Sequence, residues 1–457
     1  MSEDKKYWVV SGFFTLMQRF GVQFFGLAMA PILFRSFSKS DMGDWVIFLT
    51  AVSILEVGRI GLQQNALIKY LTTAEDEASY RSIATASFAL NLMVTGIMVI
   101  LLWLIAPLTG EWFNSASLPT MFRIYCLTTI LLVPFLQFNY MGQANLDFKG
   151  MFWSDFVRQG MLFFFILFTF LAGGELTLVG LAKVQLLTAV VASVVAGYFA
   201  KRYLRFNRFV DWEQVNELFQ YGKFVLGTNL SAMLYKTIDK FMLGGLLGSA
   251  ATASYDAAIK VTNMADIPTN SMASILFPQS ARRINNGKSA VKELYEKAVG
   301  AIFALLIPGI VTVLIFAETI IVLLAGADYA DSAGLLRLTI LYGLFIPYAV
   351  QFGTVLDSIG KPKINFWFTG AGALLNVVLN FVFIMNFGIY GAVYGTLITY
   401  LITFFFMQRL LYKMFGIQAW AAFKYMFDFY GQIKDILIGF FLQKKSVNDE
   451  RLKDASL

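Results

Sequence analysis

Apolar residues in this chain fall in long runs rather than alternating. The runs recur from end to end, broken by short polar stretches, near 8–34, 45–68, 82–106, 118–140, 151–172, 176–198, 217–243, 253–277, 295–325, 334–357, 364–386 and 389–412. A helix of about 20 apolar residues crosses a hydrocarbon core of roughly 30 Å. The pattern therefore predicts about twelve transmembrane helices. A barrel strand would be shorter and would alternate, and lipid admits no other spanning structure. The expected fold class is an all-α integral membrane protein. The first run is too long for the apolar core of a signal peptide and lacks a clear small-residue cleavage site, so it is expected to stay as a span.

The longest polar break, Lys201 to Asn216, separates two sets of six spans. A weak internal repeat agrees with that division. At an offset of 210, Gly12 falls on Gly222, Phe14 on Phe224, Leu16 on Leu226 and Glu56 on Asp266; Pro134 to Phe138 also resembles Pro347 to Phe352. Two six-helix halves of this kind would form a parallel repeat with pseudo-two-fold symmetry. The expected organisation is an N-terminal six-helix lobe at 1–200, a basic cytoplasmic linker at 201–216, a C-terminal lobe at 217–415, and an amphipathic helix with a tail at 416–457. In that last segment Trp420, Phe423, Phe427, Tyr430, Ile433, Leu437 and Phe440 recur at helical spacing among charges, which predicts a helix lying on the inner leaflet.

Composition strengthens the membrane reading: 58% of the 457 residues are hydrophobic and 14% charged, against about 45–50% and 25% in soluble domains. The net charge of +7 raises the question of nucleic acid. Its distribution answers it. With the N-terminus in the cytoplasm, most of the 36 basic residues, including Lys201, Arg202, Arg205, Arg208, Arg282 and Arg283, fall on the inner side. The outer loops then keep only Arg35 and Lys39. Positive-inside bias therefore places both termini in the cytoplasm and needs no nucleic-acid partner. A single cysteine, Cys126, excludes an internal disulfide, and the absence of His leaves no credible metal or haem site.

Ionisable side chains at the bilayer centre cost about 2.5–3.5 kcal/mol on insertion scales and usually face a cavity or a partner. Here they form stripes on four helices. Arg19 and Gln23 lie one turn apart on the first. Glu56, Arg59 and Gln63 share a sector of about 60° on the second. Lys236, Asp239 and Lys240 share one side of the seventh, and Asp256, Lys260, Asn263 and Asp266 spread over about 120° of the eighth. These are the first two helices of each half. Two readings stand side by side. The stripes can line a cationic cavity suited to an acidic or phosphate-bearing substrate. Alternatively, Glu56 with Arg59, and Asp239 with Lys236 or Lys240, are structural pairs at i,i+3 spacing or next to one another.

Blander explanations cover other features. Arg35, Lys39, Arg123 and Arg337 sit near the outer interface and can snorkel, and Arg158 and Lys183 lie near helix ends. Pro134, Pro268, Pro308 and Pro347 fall within spans as candidate kinks, and Gly391 with Gly395 makes a lone GxxxG suited to helix packing. No GxxxxGK[ST] motif is present and no outer loop is long enough for a catalytic domain, so an enzyme is not expected.

The stretch Asp239-Lys-Phe-Met-Leu-Gly-Gly-Leu-Leu-Gly248, followed by Ala253-Ser-Tyr255-Asp-Ala257-Ala258, resembles the polysaccharide and oligosaccharide flippases of the multidrug/oligosaccharidyl-lipid/polysaccharide (MOP) exporter superfamily. Ala253 replaces the family's usual Gly. A second match comprises Gly360-Lys-Pro-Lys363, Asn376, Asn380, Gly388-Ile-Tyr-Gly391-Ala392 and Gly395-Thr396. The resemblance covers roughly residues 5–415.

It implies a MATE-like fold of two six-helix lobes working by alternating access. The implied substrate is an undecaprenyl-pyrophosphate-linked oligosaccharide for O-antigen, capsule or exopolysaccharide assembly. The implied setting is the bacterial cytoplasmic membrane, with polysaccharide polymerase or assembly proteins as partners. Arg19, Arg59, Lys236, Lys240 and Lys260 would contact pyrophosphate or acidic sugars. Glu56, Asp239 and Asp266 would balance charge or bind a coupling cation, Na+ or H+; no other cofactor is expected. A multidrug/cation antiporter of the same superfamily would favour an acidic cavity. A lipid II flippase usually has two further helices, and a membrane-embedded polymerase or ligase would need a larger outer loop.

Overall fold

The computed structural model describes residues 3–283 and 287–431. Every predicted apolar run lies on one helical rod, to within two residues at its ends. The first seven are single helices: α1 (Glu3–Ser36), α2 (Lys39–Thr72), α3 (Glu77–Trp112), α4 (Leu118–Ala144), α5 (Lys149–Leu171), α6 (Leu178–Ala200) and α7 (Trp212–Leu247). The eighth is broken into α8 (Ser249–Thr262) and α9 (Asp266–Arg283) by a 3-10 turn at Asn263–Ala265. After α10 (Lys288–Ala325), the tenth rod alternates 3-10 and α segments, α11 (Ala333–Thr339) and α12 (Ile346–Ser358), before α13 (Pro362–Phe387) and α14 (Ile389–Phe415). Among the described residues, nine of these stretches are long and apolar enough to span a membrane. The first, seventh and eighth rods fall outside that set.

Local chemistry sets the helix starts. Ser38 caps α2 by accepting from the Asp41 N–H at 3.1 Å, Asp76 caps α3 through Ser79 N–H at 2.7 Å, and Asp211 caps α7 through Glu213 N–H at 3.0 Å. Gly248, at φ +92°, makes the turn from α7 to α8, a conformation that β-carbons disfavour. Two of the four candidate kink prolines begin helices instead. Pro268 is in the first turn of α9 and Pro347 in that of α12, where a missing N–H breaks no helical bond. In α10 the non-helical residue is Phe316 (φ −103°, ψ 21°), two turns beyond Pro308.

The chain divides into two compact units, each drawing on more than one stretch. The first comprises Met1–Ala257, Ile321–Ser332 and Asn380–Ala392. In it α2 and α7 run alongside one another, α4 packs on α3 and α6, and α5 packs on α1 and α6. The α2–α7 seam is close because glycine lines it. A β-carbon at Gly222 would fall on the Leu62 carbonyl, and one at Gly43, near the start of α2, on the Ser249 backbone at the start of α8. At that second point Asp44, buried, accepts hydrogen bonds from the hydroxyls of Ser249 (2.5 Å) and Ser115.

The second unit comprises Ala258–Ile320, Ala333–Leu379 and Val393–Leu457. Its core gathers Tyr295, Phe303, Tyr348, Phe352, Leu411 and Ile417. A helical segment at 421–431 covers part of this core. Phe423 stacks on Phe303 at 5.2 Å and the Tyr430 hydroxyl donates to the Ala304 carbonyl at 2.7 Å, while Trp420 and Phe427 stay exposed. The predicted amphipathic helix is thus anchored by one face to protein. Its continuation through Ile433, Leu437 and Phe440, and the tail, lie outside the described residues.

Candidate functional site

Two clusters of ionisable side chains and one cavity stand out, all in the first unit. On α2, Arg59 is the pivot. Its guanidinium donates to Glu56 Oε2 at 2.6 Å, to the Thr129 carbonyl at 3.0 Å and to Thr95 Oγ1 at 3.2 Å. Its side chain is 0% exposed, against 17% for Glu56. Glu56 Oε1 in turn accepts from the Tyr125 hydroxyl at 2.7 Å and from Thr129 Oγ1 at 3.2 Å. The i,i+3 pair read from the sequence therefore forms, and it also ties α2 to α3 and α4. An ion pair surrounded by this many hydrogen bonds offsets its own desolvation, which an isolated buried pair does not.

The second cluster is built across the α7–α8 turn. Lys240 Nζ lies 2.6 Å from Asp256 Oδ1, with side chains 13% and 3% exposed. Asp239 accepts from the Lys240 backbone N–H at 2.8 Å and from the Tyr255 hydroxyl. Lys240 thus pairs with a carboxylate on the next helix. The residues that carry the family resemblance, Asp239, Gly248 and Tyr255, are here the two ends of one hydrogen bond and the turn that lets it close. In the second motif Gly360 (φ +78°) and Gly388 (φ +59°) are likewise turns, and Asn376 Nδ2 donates to Thr396 Oγ1 at 3.2 Å.

A cavity of about 400 Å³ opens among α2, α4, α5 and α6. Glu56 forms part of its wall, as do Asp155 and Arg158, paired at 3.2 Å. Gln18 Nε2 also donates to Asp155, at 2.8 Å. The remaining polar lining is mostly amide and phenol, chiefly Gln64, Gln143, Gln159, Gln185 and Tyr140.

The expected site residues distribute as follows. Glu56 lines this cavity, with Arg59 enclosed behind it, and Asp239 and Lys240 form the second cluster. Lys236 is exposed on α7. Lys260 and Asp266, both partly buried, belong to the second unit. The Arg19 side chain lies outside the described residues. Sequence reasoning missed Tyr125, Thr129, Asp155 and the glutamines, and it gave Arg158 only an interfacial role. Their signal was present as polar residues inside apolar runs, but without periodicity to group them.

Buried ion pairs and a polar cavity inside rods of membrane-spanning length define a multipass membrane protein whose interior handles polar groups. A family model described as "Polysaccharide biosynthesis protein" matches residues 32–334, and the chain belongs to that family. Among curated relatives, an uncharacterized membrane protein of Methanocaldococcus jannaschii is 24% identical over 403 residues, 82% of this chain and 78% of that one. A "Probable low-salt glycan biosynthesis flippase" of Haloferax volcanii is 22% identical over 40% of this chain and 39% of its own length. A teichuronic acid biosynthesis protein of Bacillus subtilis is 19% identical over 66% and 62%. Among solved structures, an inward-facing multidrug resistance MATE family transporter of the MOP superfamily matches with TM-score 0.72 at 16% identity, over 86% of this chain and 95% of that one. The inward closed lipid II flippase MurJ matches with TM-score 0.72 at 12% identity, over 94% and 93%. The fold is all-α and MATE-like, and the resemblance read from the motifs holds for family and fold.

Proposed function

We propose that this protein is a flippase that carries a lipid-linked oligosaccharide across the membrane by alternating access. The observation that carries the reading is the polar cavity of about 400 Å³ walled by membrane-spanning helices. A sugar headgroup needs such a compartment, because apolar rods alone would offer its hydroxyls nothing in exchange for water. Family membership and the names of two relatives support the choice of substrate. The finer reading is an undecaprenyl-pyrophosphate-linked unit, moved across the bacterial cytoplasmic membrane for surface polysaccharide assembly, with both termini cytoplasmic and a polymerase or assembly protein downstream.

In this reading the chain performs no covalent chemistry and holds no resident cofactor. A coupling cation, Na+ or H+, supplies the driving force. Lys236, exposed on α7, is the proposed contact for the pyrophosphate, and Arg19 and Lys260 keep the same proposed role. Arg59 and Lys240, already paired, hold the shape of their helices, and Glu56, Asp239 and Asp266 balance charge. One observation favours a cation exporter instead: two carboxylates, Glu56 and Asp155, line the cavity. Both, however, have an arginine partner.

Reconstituted vesicles with labelled lipid-linked oligosaccharide on one face test the reading. The expected result is protein-dependent, saturable transfer of label to the other face. Transport of a cationic dye without transfer of the sugar lipid would establish the exporter, and new glycosidic bonds would establish an enzyme.

A further inference from the structure

We propose that the cavity among α2, α4, α5 and α6 is a subsite for an uncharged sugar of the glycan, separate from whatever holds the pyrophosphate. The proposal rests on the flippase reading for its substrate, but its chemistry comes from the wall. Each carboxylate there is already met. Glu56 has Arg59, Tyr125 and Thr129 as partners, and Asp155 has Arg158 and Gln18. An anion entering the cavity would meet two carboxylates, and the one arginine of the wall is paired with Asp155, with its buried Nε left without a partner. It would gain little attraction there.

Apart from Arg158, whose Nε is buried without a partner, the uncommitted capacity is neutral. Gln64 and Gln143 bond one another at 3.1 Å. Among the described residues, the side-chain amides of Gln159 and Gln185 make no hydrogen bond. The Tyr140 hydroxyl is buried without a partner. Leaving a buried polar group unsatisfied costs about 1–3 kcal/mol, so the Tyr140 hydroxyl points to a ligand that completes it, and the partly exposed amides of Gln159 and Gln185 stand open to the same ligand. Each amide both donates and accepts, as does every sugar hydroxyl, whereas a diphosphate chiefly accepts and an acyl chain does neither. The volume lies within the range of small-ligand sites, about 300–1,000 Å³.

The test uses the purified full chain in lipid nanodiscs and saturation-transfer NMR with glucose, N-acetylglucosamine, glucuronic acid and inorganic pyrophosphate as probes. The neutral sugars are expected to bind, glucuronic acid to bind more weakly, and pyrophosphate to leave their signals unchanged. Gln159→Met and Gln185→Met are each expected to weaken neutral-sugar binding about three- to tenfold, the loss of one hydrogen bond. Tyr140→Phe is the safeguard against misfolding. It removes only an unpartnered hydroxyl, so it should unfold no earlier than the parent while still weakening the sugar.

Absence of neutral-sugar binding, displacement by pyrophosphate, or unchanged affinity in Tyr140→Phe and in whichever glutamine variants fold would each overturn the subsite. The vesicle assay separates the two proposals. Transfer of lipid-linked sugar with no cavity-dependent sugar binding sinks the subsite alone. Sugar binding that the variants weaken, in a protein that transfers nothing, sinks the flippase reading and leaves the subsite.

Discussion

The two buried ion clusters use the same parts in different architectures. In each, a carboxylate accepts from a tyrosine hydroxyl: Glu56 from Tyr125 and Asp239 from Tyr255. In the first, the cation sits one turn away on the same helix and braces two others. In the second, the cation turns from its sequence neighbour to Asp256, on the far side of Gly248. The first cluster locks three helices at one level of the bundle. The second locks a helical hairpin, and its strength depends on the α7–α8 turn.

That contrast ranks the consequences of breaking them. Arg59→Ala should be the most damaging change, about 4–5 kcal/mol. It empties a fully buried site and leaves Glu56 without its counter-charge. Asp256→Ala should cost about 3 kcal/mol by stranding Lys240, which retains a nearby carboxylate in Asp239. The double variant Lys240→Met/Asp256→Leu should recover most of that loss. Chemical unfolding in detergent micelles measures all three, and a double variant as unstable as Asp256→Ala would show that the pair is not what holds the hairpin. The smallest effects belong to the shared part. Tyr125→Phe and Tyr255→Phe should each cost about 1 kcal/mol. If only one of them does so, the likeness between the clusters is geometric and not energetic.

The same contrast explains what the sequence revealed. Long apolar runs can do little in a bilayer except form helices, so all the predicted spans appear as rods. The Glu56–Arg59 pair was legible because helical periodicity alone brings i and i+3 together. The Lys240–Asp256 pair was not, since its sixteen-residue separation becomes a contact only once Gly248 has turned the chain. The cavity was less legible still. Its polar residues come from four helices, and each looks like an isolated defect in an apolar run until packing assembles them. The repeat carried more chemistry than its few identities suggested. Gln137 and Gln351, paired by it, are both fully buried and both donate to a backbone carbonyl on another helix, Ala84 at 3.2 Å and Thr269 at 2.9 Å.

The glycine-lined seam between α2 and α7 has a consequence for kinetics. Where Gly222 meets the Leu62 carbonyl, backbone touches backbone. Interlocked side chains must change rotamer before they can part, and this friction adds to the activation barrier of any separation. Bare backbone lacks such teeth. At this point α2 and α7 can slide or peel apart with no side chain to unmesh, so the contact can be tight when closed and still quick to open.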